Sequence, residues 1–302
     1  MKGPTPYRLK SITEIHRLAG FDKPKHPLIS IIDVSGITNN SNIDAVLFDV
    51  YAISLKRGCN NLIYGQQKYD FDEGLMAFMA PNQILRSEEG GITPKMEGWM
   101  LFIHPDFLWN TPLAKKIKQY DYFSYATNEA LFLSDKEESI MNGIVDNIRS
   151  EYHDNMDKFS QDVIIAQLEL LFTYAQRFYE RQFITRKITN HQILAKLEGV
   201  IEHYFNDQNS SGQGLPTVQF VADRLNISPK YLGSLLKQLT GMTTQQLIHE
   251  KLIQKAKEKL STTDLTVSEI AYDLGFEHSQ SFSKLFKTKT RQSPLEFRAS
   301  FN

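Results

Sequence analysis

The sequence predicts an α+β chain of two domains: a β-rich first part with trailing helices, then an all-α part. Three observations carry this reading. The hydrophobic period changes near residue 137, from short alternating runs to helical spacing. A pattern at 217–241 recurs at 266–291. At 302 residues and 41% hydrophobic content, the chain is long and apolar enough for two ordinary cores. The expected boundaries are 1–136 for the β-domain, 137–186 for a helical segment attached to it, and 187–302 for the all-α domain.

The β-rich part shows "HPLISIIDV" (26–34), "AVLFDVYAISLK" (45–56), "LMAFMA" (75–80) and "GWMLFIHP" (98–105). Turn-type stretches separate them, among them "GITNNSN", "RGCNN" and "SEEGGITP". Many short strands at modest spacing suggest a sandwich or barrel. Tyr51, Tyr64, Tyr69, Phe71, Phe78 and Trp99 are candidates for its interior, either as packed core or as the wall of a small-molecule pocket.

Helical spacing begins in "EESIMNGIVDNIRSEYHD" (137–154) and continues in "FSQDVIIAQLELLFTYAQRFYERQ" (159–182). The second stretch is apolar over more than one stripe, so it is expected to meet more than one neighbour, including one from another subunit. "TRKITN" (185–190) reads as a polar joint, and "NDQNSSGQGLP" (206–216) as a loop.

The repeat is specific. Thr217, Val218, Ala222 and Leu225 match Thr266, Val267, Ala271 and Leu274. With one extra residue in the second turn, Leu232, Leu235, Leu236, Lys237 and Thr240 match Phe282, Leu285, Phe286, Lys287 and Thr290. Thr266–Glu269 has the form of a capping box, flanked by Leu265 and Ile270 as a hydrophobic staple. Gly275 stands where a left-handed helix end is needed. Ser228 precedes Pro229 as an N-cap, and Ser293–Glu296 opens a last short helix. Each copy is therefore a helix-turn-helix.

Between the copies, "TTQQLIHEKLIQKAKEKLSTT" (243–263) reads as a helix of about 18 residues, roughly 27 Å long. That length suits holding two recognition helices, about 228–240 and 279–290, one DNA turn apart at roughly 34 Å. The base-facing candidates are Lys230, Gly233 and Ser234 in the first copy, and Ser279, Gln280, Ser283 and Lys284 in the second. Gln pairs with adenine and Lys reaches guanine. Gly233 and Ser234 have little reach, so the first copy is expected to read shape more than sequence. Lys237, Lys287 and Arg291 are the phosphate-contacting candidates.

Charge agrees in sign. Net charge is −1 overall, yet 187–302 holds 14 Lys+Arg against 11 Asp+Glu, about +3, and the rest of the chain about −4. The single cysteine, Cys59, excludes an internal disulfide, and no stretch is long and apolar enough for a membrane span, so a cytoplasmic protein is expected.

Ile270-Ala271, Gly275-Phe276, Phe282-Ser-Lys284-Leu-Phe286-Lys287 and Pro294-Leu-Glu-Phe297-Arg298 together resemble the second copy of the AraC/XylS regulators' DNA-binding domain. "ISPKYLGSLLKQLTG" resembles the recognition helix of the first copy. The chain departs from that family's pattern at Ser234, often Arg or Lys there, and at Arg291, usually Gly. At Arg291 the expectation is either a looser or differently capped helix end or an added phosphate contact. More weakly, the first part resembles the family's cupin-like β-barrel with its dimerisation helices. The resemblance implies an activator that binds double-stranded DNA, pairs as a homodimer through 137–182, and engages RNA polymerase and a small effector.

Enzymatic signals are missing. His16, His26, His104 and His153 form no H-x-H pair, and neither a G-x-S-x-G nor a phosphate loop occurs, so no metal, cofactor or catalysis is expected. The competing reading is a small-molecule-binding or enzymatic cupin whose helical tail serves protein interaction.

Overall fold

The computed structural model describes residues 6–37, 45–57, 63–64, 67–68, 74–86, 97–126, 129–154, 157–185, 187–206 and 214–300. The chain divides into two compact units, Met1–Thr185 and Arg186–Asn302.

In chain order the strands of the first unit are β1 (Tyr7–Leu9), β2 (Ile29–Asp33), β3 (Ala45–Phe48), β4 (Tyr51–Arg57), β5 (Ile63–Tyr64), β6 (Gln67–Lys68), β7 (Gly74–Met79), β8 (Ile84–Arg86), β9 (Glu97–Ile103) and β10 (Leu131–Leu133). Its helices are α1 (Ile12–Ala19), α2 (Leu113–Lys116), α3 (Asp135–His153) and α4 (Ser160–Thr185). The main sheet is antiparallel, in the order β10-β7-β4-β9-β2. A second sheet runs β1-β3-β8, with β1 parallel to β3, and β5 pairs with β6.

Among the described residues these sheets stay open, and no closed barrel forms. The two sheets meet at a corner at Asp49. The run 45–56, expected as one strand, is two strands in two sheets. Asp49 N donates to Leu9 O at 3.0 Å, and its carboxylate accepts from Arg8 Nε at 2.9 Å. These bonds hold the chain at the corner where it leaves one sheet for the other. An unbroken apolar run carries no mark of such a corner.

Register sorts the main sheet into two faces. Ile53 pairs with Phe78 and Leu101, and Leu55 with Met76 and Trp99. That face is closed by α3 and α4. Trp99 Nε1 donates to Asn142 Oδ1 at 2.8 Å, and Phe78 lies 4.7 Å from Tyr122 and 6.2 Å from Tyr179, ring to ring. The other face, with Ile32, Ala52, Met79 and Phe102, shares a core with Leu9, Ile12, Ile15 and Phe48.

Two consecutive carboxylates anchor α3. Glu138, buried, accepts from Arg57 Nε and Nη2, each at 2.8 Å. A Cβ on Gly74 would collide with that carboxylate, so the strand must be bare there. Glu137 closes a capping box with Ser134 and accepts from Arg181 Nη2 of α4 at 2.7 Å. No helix among the described residues is long and apolar enough to cross a membrane.

The second unit is helical: α5 (Lys187–Asn206), α6 (Val218–Leu225), α7 (Pro229–Thr240), α8 (Thr244–Thr262), α9 (Val267–Asp273), α10 (Ser279–Thr290) and α11 (Pro294–Ala299). The polar joint expected at 185–190 is mostly helix, because α5 starts at Lys187. Polarity alone does not break a helix, and the stretch contains neither Gly nor Pro.

One core serves the whole unit. It joins Leu197 and Ile201 of α5, Ala222 of α6, Leu232 and Leu236 of α7, Ile270 and Ala271 of α9, and Phe282 and Phe286 of α10. Through its middle runs α8, burying Leu247, Ile248, Leu252, Ile253, Ala256 and Leu260. Gly275 has φ +90, and a Cβ there would also strike the carbonyl of Gly214, which already accepts from Tyr204 Oη at 2.9 Å. Gly275→Ala is expected to destabilise this unit by at least about 2 kcal/mol, read as a lower midpoint in urea denaturation.

Candidate nucleic-acid interface

Both copies close their turns in the same way. Ile227 N donates to Ala222 O at 3.1 Å, and Phe276 N to Ala271 O at 2.9 Å. The residue before each donor is left-handed: Asn226 at φ 55 and Gly275 at φ 90. These are Schellman closures, each fixing the angle at which the second helix leaves the first. Thr217, Ser228, Thr243, Thr266 and Ser293 all accept from a backbone N–H as N-caps, and Thr266 and Ser293 complete the expected capping boxes.

The second helix of each copy then has a fixed inner side. In α7 it buries Tyr231, Leu232, Leu235 and Leu236; in α10, Phe282 and Phe286. The candidates fall on the outer side. Lys230, Lys237, Gln280, Lys284, Lys287 and Arg291 are exposed, while Gly233, Ser234, Ser279 and Ser283 are half-buried. Lys230, Gly233, Ser234 and Lys237 stand at i, i+3, i+4 and i+7 along α7, so they form one stripe. Gln280, Ser283, Lys284 and Lys287 form the equivalent stripe of α10.

The electrostatics of the two stripes differ in degree. No carboxylate occurs from Asn226 to His249 or from His278 to Leu295. The first stretch carries Lys230 and Lys237. The second carries Lys284, Lys287, Lys289 and Arg291, so the denser positive charge lies on the second copy. Lys289, exposed and not singled out from the sequence, belongs to that same run. Burial and the charge of Lys289 together hold the His249 imidazole below its usual pKa. Capping bonds from Thr266 and Ser293 hold the Glu269 and Glu296 carboxyls below theirs.

Arg291 ends α10 as a glycine would. It is left-handed, at φ 65, and its N–H donates to Lys287 O at 2.8 Å. Gly241 ends α7 likewise, at φ 74, with its N–H on Lys237 O at 3.0 Å. The end of α10 is therefore capped as the end of α7 is. Arg291 accepts an unfavourable backbone because the cap bond and the α11 capping box just beyond it hold the turn. Arg298 has a role that sequence reasoning did not assign. Its Nη2 donates to Leu265 O at 2.6 Å and its Nε to Leu260 O at 3.1 Å, tying the end of α8 to the start of the second copy. Only the fold brings those carbonyls within its reach.

In the first unit, Tyr51, Phe78 and Trp99 are buried. Tyr51 packs on Phe123 with ring centroids 5.2 Å apart, and Phe78 and Trp99 meet the partners given above, so their rings are engaged with protein. Tyr64 is described as strand backbone only, and Tyr69, Phe71 and Cys59 lie outside the described residues. His104 caps its own turn, with Nδ1 accepting from Asp106 N at 3.2 Å. Among the described residues no group of three or more His, Cys, Asp or Glu is arranged to hold a metal ion.

Comparison with known proteins finds the following similarities. A family model described as a helix-turn-helix domain matches residues 221–300. The HTH-type transcriptional activator RhaS of Enterobacter sp. (strain 638) is 32% identical over 135 residues, covering 44% of this chain and 46% of that protein. RhaS of Salmonella schwarzengrund is 30% identical over the same length. The match thus spans a little under half the length of these curated relatives. Among solved structures, the C-terminal domain of the response regulator yesN from Fusobacterium nucleatum is 29% identical, covering 34% of this chain and 95% of that one, with a TM-score of 0.31.

Since only Gly occupies a left-handed cap without cost, Arg291→Gly is expected to stabilise the second unit by about 1 kcal/mol. A raised denaturation midpoint in the isolated 187–302 fragment checks this.

Proposed function

We propose that this chain is a sequence-specific, DNA-binding transcription activator of the AraC/XylS family, a reading supported by the helix-turn-helix match over residues 221–300 and by the similarity to RhaS. The observation that carries the reading is that two helix-turn-helix units of one design share a single core through α8. Their spacing is then a property of the fold. α8 has 19 residues and is roughly 28 Å long, close to the roughly 34 Å between consecutive major grooves on one side of a duplex. One chain therefore does what a dimeric helix-turn-helix protein does with two.

On this reading Gln280 and Lys284 read bases from α10, with Ser279 and Ser283 beside them. Lys237, Lys287 and Arg291 neutralise phosphate. The stripe of α7 contributes Lys230 and otherwise reads shape through Gly233 and Ser234. Activation follows the relatives, which are named as activators; RNA polymerase is the partner that this implies.

A second copy of the chain is the other proposed partner. Phe159, Val163, Ala166 and Leu170 stand at 4-3-4 spacing along α4 and its lead-in, and all are exposed. That spacing suits a coiled-coil seam, and a second copy of α4 is the occupant proposed for it, with the Lys158 ammonium 4.8 Å over the Phe159 ring at its start. Pairing would double the DNA contacts through effective concentration. A small effector bound in the first unit remains part of the proposal as a modulator; of its candidate residues, Tyr51, Phe78 and Trp99 are buried against protein.

Selection from a random duplex pool, using the full chain and 187–302 in parallel, should return a site with two blocks about one helical turn apart. Binding should weaken steeply with salt, which a protein-interaction tail would not show. Lys284→Ala should weaken binding to the selected site by about tenfold with the melting midpoint unchanged. Unchanged affinity would show that α10 is placed wrongly. Leu170→Glu should shift the full chain from dimer to monomer in analytical ultracentrifugation; an unchanged sedimentation coefficient would remove α4 as the seam.

A further inference from the structure

Gly233 sits inside α7, where glycine is the poorest helix former after proline. Some glycines in this fold answer a local demand. Gly275 answers two, a left-handed backbone and a carbonyl at the place of its missing Cβ, and Gly74 makes room for Glu138. Gly233 answers neither demand. It is helical with negative φ, and a Cβ built on it meets nothing within 4 Å. The protein alone gives no reason for a bare backbone at that point.

Gly143 and Gly199, in α3 and α5, are open in the same way, so openness does not single Gly233 out; its position does. Gly233 is on the outer stripe of α7, one turn from Lys230 and one turn from Lys237, with Ser234 next to it. The equivalent places in α10 hold Ser283 and Lys284. The stripe of α7 is thus a notch between two lysines, floored by main chain and the shortest polar side chain. A polyanion held by lysines on both sides can approach the helix axis more closely there than anywhere along α10. We propose that Gly233 is the point where the backbone of α7 lies directly against DNA, so that the first half of the site is selected by main-chain fit, not by a side chain. The inference rests on the DNA-binding reading above and deepens it. Bare backbone is the general device for close approach to a ligand.

Gly199, in α5, is an equally open helical glycine that lies on neither recognition helix, and it serves as the reference. Gly233→Ala and Gly199→Ala would be made in the full chain. Each is read by its melting midpoint and by its dissociation constant for the duplex that the wild-type chain selects. Both substitutions should leave the midpoint equal or raise it, because alanine is the better helix former. Only Gly233→Ala should weaken binding, by about tenfold or more. Wild-type affinity in Gly233→Ala overturns the proposal while leaving the DNA-binding reading intact. A lowered midpoint in Gly233→Ala also overturns it, since the fold would then be what demands glycine. Equal losses in both variants would show that the effect is not local to the notch, and overturn it too. If the wild-type chain selects no duplex, the parent reading has failed, and this one with it.

Discussion

The second unit depends on how α8 is buried. A helix between two small domains could be a solvated rod, with each domain holding its own core. Here α8 is apolar on a broad face, and the residues it buries meet α5, α7, α9 and α11 in one continuous cluster. A helix-turn-helix of two short helices buries too little to stand alone. Packed on a common strut, two of them become one cooperative body. Lys259 paired with Asp273 at 2.6 Å, Lys251 paired with Glu198 at 2.9 Å, and Arg298 on the Leu260 carbonyl near the end of α8 fasten that strut to its neighbours. The angle and separation of the two outer stripes are set by this packing, and specific recognition across two grooves requires both.

The first unit uses a different fastening. Its main sheet is covered on one face by α3 and α4, and that cover is registered by charge as well as by apolar contact. Glu138 reaches down to Arg57 on β4, and Glu137, its neighbour, reaches across to Arg181 on α4. Successive residues on a helix point in different directions, so one dipeptide fixes both the height of α3 on the sheet and its alignment with α4. The aromatic layer of Tyr122, Phe123, Phe78 and Tyr179 fills the space between. Rings that a sequence leaves free to line a pocket are here used as packing.

The two copies share backbone devices and differ in their outer side chains. Both have Schellman turns, left-handed caps at matching ends and the same spacing of buried residues. Over that common frame, α10 presents Gln280 and Lys284 within a run of positive charge, and α7 presents a short, nearly bare face between two lysines. A frame held constant by packing lets the two stripes diverge without disturbing each other. The division of labour proposed here, base readout by one copy and shape by the other, follows from that independence.

Much of the second unit is legible in the amino-acid sequence alone. Thr266–Glu269, Ser228-Pro229, Gly275 and Ser293–Glu296 specify local geometry through bonds that span three or four residues, and such bonds are written in the sequence itself. The outer stripes follow from the same periodicity that hides Leu232, Phe282 and Phe286. The short strands β1, β8 and β10 are not legible, because three residues are too few to establish a period. The corner at Asp49 is not legible either, since it depends on Arg8 and Leu9 some forty residues away. The helical character of 187–190 is hidden because a polar stretch resembles a loop in a linear reading. The left-handed Arg291, the carbonyls under Arg298, and the fate of Tyr51, Phe78 and Trp99 are decided by tertiary structure alone. Each depends on what the folded chain brings alongside, and no local pattern encodes a neighbour that is distant in sequence.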